Sequence, residues 1–237
     1  MIFSVFKQLL PNKPIRLRVL RGPFRGARLM MNPRNSMRKI LGLYEHELNR
    51  WLEEALHYVN RVIDVGANDG YFSFGCAAAF RRLGKEGTVL AIESQDRHVQ
   101  ELRHSLAMQK TSNAQMEIVH ALVGRELKLG MITLDSVRSR VSDSAVGQTT
   151  LIKIDVEGAE LDVIVGARSW LRPSNLFVIE VHREKFLPEL KQIFAESGHG
   201  LIQIDQRPVP FLGREDRDEK NWWLVSNLQQ MGNAVQR

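Results

Sequence analysis

At 237 residues, 43% hydrophobic and 25% charged, the chain suits one α/β domain with an appendage and is too short for two full domains. No stretch approaches the roughly 18 uncharged apolar residues of a spanning helix, and the apolar run at the N-terminus is interrupted by Lys7 without a small-residue cleavage pattern, so neither an integral membrane helix nor a secretory signal is expected. The single Cys76 permits no internal disulfide and leads to the expectation of a reducing cytoplasm.

The net charge of +6 is uneven: every charged residue before Glu45 is basic, from Lys7 through Arg38 and Lys39, and the remainder is close to neutral. Such an arm reads as a solvated basic hairpin edge, with nucleic acid, an acidic substrate or the anionic inner membrane face as alternatives. Ile2, Phe3, Val5, Phe6, Leu9 and Leu10 beside it suit packing on the core or a homodimer contact, with weak peripheral membrane contact as the other reading.

In chain order, Ile15 to Leu20 and Ala27 to Met31 predict a β-hairpin around Gly22-Pro23 and Gly26. Helical spacing of Leu41, Leu48, Trp51, Leu52, Ala55, Leu56 and Val59 predicts a helix from Ser36, its N-cap, to about Tyr58, broken near Gly42. Residues 1–59 thus form an extension, 60–228 the main domain and 229–237 a polar tail. The main domain alternates apolar strands with amphipathic helices: RVIDV and a helix over Tyr71 to Arg82; TVLAIE and a helix over Asp96 to Gln109; MEIVHAL and a less regular stretch; LIKIDV and a helix over Glu157 to Trp170; LFVIEV and a helix from about Glu184 to Ser197. Leu201 to Ile204 and Trp222 to Val225 are expected to pair antiparallel. The pattern predicts a doubly wound, mostly parallel sheet, whose ligands bind beyond the carboxyl ends of the strands where strand order reverses.

The residues after the first core strand, Asp64-Val65-Gly66-Ala67-Asn68-Asp69-Gly70, form a glycine turn that opens a helix. Gly66 allows close backbone approach and Gly70 close helix packing. Asn68 replaces the middle glycine of a dinucleotide fingerprint, and Asp64 and Asp69 flank the turn, so a pyrophosphate is poorly served and a cationic sulfonium with an amino-acid tail is served better. Glu93 ends the second strand, where a carboxylate can accept both hydroxyls of a ribose; a helix N-terminal acid is the alternative. Asp155 ends the fourth strand and is the first choice for holding an ammonium, orienting an acceptor or taking its proton. Glu157 shares that work or sits in the first helical turn, where negative charge suits the macrodipole. Glu160 reads equally as structural. Glu180 and His182, at i, i+2 after the fifth strand, can both face the pocket, and His182 is a reasonable base or a rim residue. Asp135 reads equally as a cap for a short helix. Asp135, Asp155, Glu157 and His182 have no diagnostic metal spacing, and no metal is expected.

Tyr44-Glu45, VIDVGANDGYFSF, Glu93, Thr133-Leu134-Asp135, LIKIDVEGAELDVIVGA and IEVH from Ile179 to His182 together resemble the FkbM-type methyltransferases over about Tyr44 to His182. The resemblance implies a class I, Rossmann-like methyltransferase fold with S-adenosyl-L-methionine as cofactor, and methylation of hydroxyl groups on sugars, polyketides and similar small molecules. It places Asp64, Gly66, Ala67, Asn68, Gly70, Glu93, Ser94, Ala121 and Asp155 at the cofactor, with Asp155, Glu157, Glu180 and His182 as catalytic candidates. Ser94 stands where the family usually has Pro. Ser105 and Gln109 stand where it often has Asn, and His120, Ala121 and Leu122 are expected to frame the adenine through backbone groups. A nucleic-acid or protein methyltransferase and a non-catalytic binding module are the competing readings. Nucleic-acid methylation is disfavoured because Asp155-Val156-Glu157-Gly158 replaces the Pro-Pro-aromatic turn of base-amino methylation and Cys76 lies away from the strand ends. A nicotinamide oxidoreductase fails on the glycine spacing.

Overall fold

The computed structural model describes residues 10–109, 114–140, 149–208 and 221–229. The apolar N-terminal segment before residue 10, the polar loop between residues 209 and 220 and most of the tail lie outside the described residues, so the membrane and dimer expectations placed on the first of these find no structural counterpart. Among the described residues no helix is long and apolar enough to cross a membrane.

The predicted hairpin forms from β1 (Ile15–Arg18) and β2 (Arg28–Met31), paired antiparallel. The predicted leading helix is broken where Gly42 takes a left-handed conformation: α1 (Met37–Leu41), a 3₁₀ turn (His46–Leu48) and α2 (Asn49–Tyr58) follow one another. Ser36 occupies the N-cap position of α1 but makes no side-chain cap.

The main sheet contains β3 (Arg61–Val65), β4 (Gly87–Glu93), β5 (Ala114–His120), β8 (Thr150–Ile154), β9 (Leu176–Val181), β10 (Leu201–Asp205) and β11 (Trp222–Ser226). Two-residue strands β6 (Leu122–Val123) and β7 (Met131–Ile132) form a separate parallel pair. The seven strands run in the order β10-β11-β9-β8-β3-β4-β5. Strands β5, β4, β3, β8 and β9 are mutually parallel, and β11 is antiparallel to both its neighbours. The antiparallel strand, last in sequence, is therefore an inner strand between β9 and β10 rather than an edge. Its five residues are all buried, whereas edge strands β5 and β10 carry exposed positions.

Alternation of side chains along the buried strands creates two apolar layers. Val62, Ala91, Leu151, Val178 and Trp223 face α2, α3 (Tyr71–Arg82), α4 (Asp96–Ala107) and the hairpin, which share one cluster. Ile63, Ile92, Ile152, Ile179 and Leu224 face the opposite layer, with α5 (Glu160–Val165) and α6 (Phe186–Glu196). The hairpin and leading helix thus pack into the main core rather than beside it: Val19, Phe24 and Leu29 are almost fully buried. Helix α6 admits Pro188 because the residue lies in its first turn, where no intrahelical donor is lost.

The helix predicted from Glu157 to Trp170 is shorter than expected. Glu157 (φ +51°) and Gly158 (φ +99°) form a left-handed turn, α5 spans Glu160–Val165, and a 3₁₀ turn at Arg168–Trp170 completes the segment. Glu157 is consequently a turn residue and has no place in a helix dipole.

Candidate active site

Strand order reverses at β3, which leads to β4 on one side while β8 lies on the other. Beyond the carboxyl ends of these strands lies a cleft of about 140 Å³ whose wall includes Gly66, Asn68, Glu93, Ser94, Ala121, Asp155 and Glu157. Of the predicted cofactor residues, Asp64, Ala67 and Gly70 do not line it.

The glycine turn is built for rigidity. Gly66 and Ala67 both donate their backbone N–H to Ile92 O (2.9 and 3.1 Å), Asn68 donates to Glu93 Oε2 (2.8 Å) and Gly70 to Ala67 O (2.8 Å). Four amides of the kind that cradle a phosphate in a dinucleotide site are here engaged inside the protein. Gly66 has φ +80°, and a Cβ there would lie 1.8 Å from Asp155 O. Its approach partner is thus the backbone of the β8 turn rather than a ligand. A Cβ on Gly70 would strike Leu102 and Phe74, as expected for close helix packing.

Glu93 is nearly buried at the cleft wall, and its second oxygen accepts from Gln95 N (2.8 Å). Each oxygen therefore holds one backbone donor and keeps acceptor capacity, the donor-set chemistry that a ribose diol requires. His98, which the sequence reading passed over, lines the same wall with Nδ1 4.0 Å from Glu93 Oε1. Ser94 presents its carbonyl to His120 Nε2 at 3.0 Å. The N–H groups of Ala121 and Leu122 donate to Glu93 O (3.0 Å) and Gly130 O (3.2 Å), and both residues line the cleft.

Asp64 is corrected from a cofactor ligand to a buried support. It is fully inaccessible, accepts from Ser73 Oγ at 2.5 Å and lies 3.3 Å from Lys153 Nζ. Lys153, next to last in β8, donates to Gly66 O (3.0 Å) and pairs with Asp155 Oδ2 (3.1 Å). Burial alone would lower the Lys153 ammonium; the Asp155 and Asp64 carboxylates, with Glu45 of the leading segment, outweigh it and hold the group well above the lysine range. Burial pushes the Asp64 carboxyl up, opposed by Lys153 and Ser73. The two partners shift upward for different reasons, and the lysine's is decisive because two acids face it at close range. Asp69 is tied outside the cleft by Lys39 Nζ at 2.5 Å, with that ammonium 4.7 Å from the Tyr44 ring centroid.

Asp155 is shared between the cleft and a second group of side chains. Its Oδ1 is 3.7 Å from His182 Nε2, and Asp155, Glu180 and His182 bring one polar atom each within 4.8 Å of one another. His182 Nδ1 lies 2.7 Å from Oε1 of fully buried Glu160, which also accepts from Gly158 N at 2.8 Å. Burial would lower the His182 imidazole, but Glu160 and Asp155 raise it above its usual value. Glu180 is buried and accepts from Asn221 Nδ2 at 3.0 Å. Asp135 lies elsewhere: its Oδ1 accepts from Ser169 N (3.0 Å) and Ser169 Oγ (2.6 Å), so it caps the Arg168–Trp170 turn and not a helix of its own. Cys76 is buried in α3, and burial pushes its thiol well up.

A sheet of this order with its cleft at the switch point defines an S-adenosylmethionine-dependent methyltransferase fold of class I, Rossmann-like type. Within it, the model of the methyltransferase FkbM domain matches residues 123–201, a span that holds Asp155, Glu157, Glu160, Glu180 and His182, and this bears out the resemblance seen in the sequence. The methyltransferase FkbM from Methylobacillus flagellatus KT is similar over 80% of this chain and 54% of that one, with 19% identity and a TM-score of 0.53; the chain spans about half the length of that protein. A precorrin-6y C5,15-methyltransferase from Geobacter metallireducens GS-15 has 11% identity over 78% of this chain and 86% of that one, with a TM-score of 0.49. TYW2 from M. jannaschii, solved in complex with AdoMet, has 13% identity over 91% and 86%, also at 0.49. No curated protein matches the chain. S-adenosyl-L-methionine is the cofactor of the fold and domain, and Glu93, Asp155 and the rigid Gly66 turn fit it.

Proposed function

We propose that the chain methylates the oxygen of a hydroxyl group on a small molecule such as a sugar, glycolipid or polyketide. The observation that carries this reading is the double position of Asp155, on the wall of the cofactor cleft and beside the Glu180 and His182 pair. A cofactor held in the cleft by Glu93 and Asp155 would supply an electrophilic methyl group, with its sulfur as the leaving atom.

The residues of the chain supply position and proton acceptance. Glu93 fits a ribose, while Gly66 and Lys153 fix Asp155 at the boundary of the two compartments. Alignment of reacting atoms can contribute about 7 to 11 kcal/mol of barrier lowering, and a positioned base about 10² to 10⁴ in rate. A hydroxyl is a poor nucleophile while protonated, so an acid and imidazole group at the acceptor end suits oxygen methylation. Stacking a flipped base would need an aromatic turn after β8, and Asp155-Val156-Glu157-Gly158 offers none.

The test is incubation of cell extracts with methyl-labelled cofactor and the protein, followed by fractionation. Label is expected in sugar, glycolipid or other small-molecule fractions as a methyl ether stable to mild base. Label confined to protein or nucleic acid, or present only as a base-labile ester, overturns the reading.

A further inference from the structure

We propose that His182 is the base that takes the acceptor's proton, and that buried Glu160 is its positioning residue, fixing the tautomer that leaves Nε2 bare toward Asp155. This inference rests on the hydroxyl-acceptor reading.

Glu160 is the first residue of α5 and has no solvent exposure. Its Oε1 is fixed by Gly158 N and by His182 Nδ1, and its Oε2 has no hydrogen-bond partner among the described residues. A buried carboxylate with an orphan oxygen is costly as a structural device. What it fixes is the imidazole. A carboxylate only accepts, so the single proton of a neutral ring stands on Nδ1 and the lone pair on Nε2. That atom does not bond Asp155: the 3.7 Å separation from Oδ1 exceeds a hydrogen bond. An oxygen entering the gap can contact both, with its hydrogen directed at Nε2. The hydroxyl O–H bond then breaks with its proton on Nε2, and the oxygen keeps the electron pair with which it bonds the methyl carbon. The imidazolium so formed lies between two carboxylates.

The charges that face the ring come from every neighbouring element: Glu160 of α5, Asp155 after β8, Glu157 of the turn and Glu180 of β9. Lys153 is paired with the other oxygen of Asp155, Oδ2, and the Arg183 guanidinium packs over Gly158. The acids raise the folded imidazole above its usual value, so the neutral base fraction grows as pH rises through that raised value.

The test is nitrogen-15 NMR of histidine-labelled full-length protein, with His182→Gln for assignment, beside pH–rate profiles of label transfer. In the wild type, neutral His182 is expected as the Nδ1-protonated tautomer, with its titration above that of a free imidazole. Glu160→Gln is expected to move both the titration and the rising limb of the rate profile to lower pH, and Glu160→Ala to mix the tautomers. His182→Gln is expected to lower the maximal rate by about 10² to 10⁴ with cofactor affinity unchanged. A wild-type Nε2-protonated tautomer, Glu160 variants that leave both tautomer and titration unmoved, or full turnover by His182→Gln would each overturn the inference. The tautomer needs no acceptor to be read, so label appearing on protein or nucleic acid would sink the hydroxyl reading separately.

Discussion

The Lys153 ammonium lies 3.1 Å from Asp155 Oδ2, two residues further along the chain and just past the end of β8, and 3.3 Å from buried Asp64 on the neighbouring strand. One cation therefore fixes both the acid at the centre of the site and the acid beneath it. Removing one partner of a buried pair leaves an uncompensated charge and typically costs about 3 to 5 kcal/mol. Lys153→Met is expected to destabilise on that scale in urea denaturation, and Lys153→Met with Asp64→Asn to recover part of the loss. A single variant as stable as the wild type would show that the pair carries no such coupling.

Two glycines separate the effects of conformation and contact. Gly66 and Gly84 both have left-handed backbones, but a Cβ on Gly84 meets nothing within 4 Å while one on Gly66 runs into Asp155 O. Gly84→Ala is expected to cost about 1 to 2 kcal/mol from the backbone alone. Gly66→Ala adds an overpacking cost of roughly 1 to 3 kcal/mol and displaces Asp155. Paired thermal denaturation and cofactor titration check this: equal stability losses at the two positions would contradict the contact.

Glu93 holds the glycine turn through Asn68 N and the start of α4 through Gln95 N while keeping acceptor capacity for a ribose. Glu93→Gln preserves shape but has one acceptor oxygen instead of two, and hydrogen bonds to charged groups are worth about 1.5 to 3 kcal/mol each. Calorimetry with S-adenosylmethionine should show affinity weakened by about tenfold to a hundredfold. Unchanged affinity would remove Glu93 from the cofactor site.

What the sequence reveals most directly is what is local. Gly66 and Glu93 lie at strand ends that periodicity alone locates, Gly70 opens the helix that follows, and the near-continuous apolar runs of β3, β8 and β9 identify strands buried on both faces. Lys153 escapes that reading because a lysine inside LIKIDV looks like an outward polar residue; only the pairing of β8 with β3 places it over Asp64. Asp64, its register neighbour, reads as a strand-end ligand although Lys153 and Ser73 enclose it. Glu160 and His182 are 22 residues apart, and their contact depends on α5 beginning three residues after Glu157. A glutamate with positive φ has no reliable compositional signature, so the turn at Glu157 was beyond reach of helix periodicity.

The insertion of β11 between β9 and β10 bears on how the molecule comes into being. Trp51 Nε1 donates to Ser226 O across 175 residues, and Trp223 Nε1 to Glu47 Oε1 across 176. At about 5 to 20 residues per second, a ribosome takes roughly 10 to 35 s to bring such partners into existence together. Until then β10 lacks the strand it pairs with and Glu180 lacks its bond from Asn221. Completion of the sheet at β10 and of the Asn221–Glu180 bond therefore comes after the strands that carry the glycine turn and Glu93 have been made.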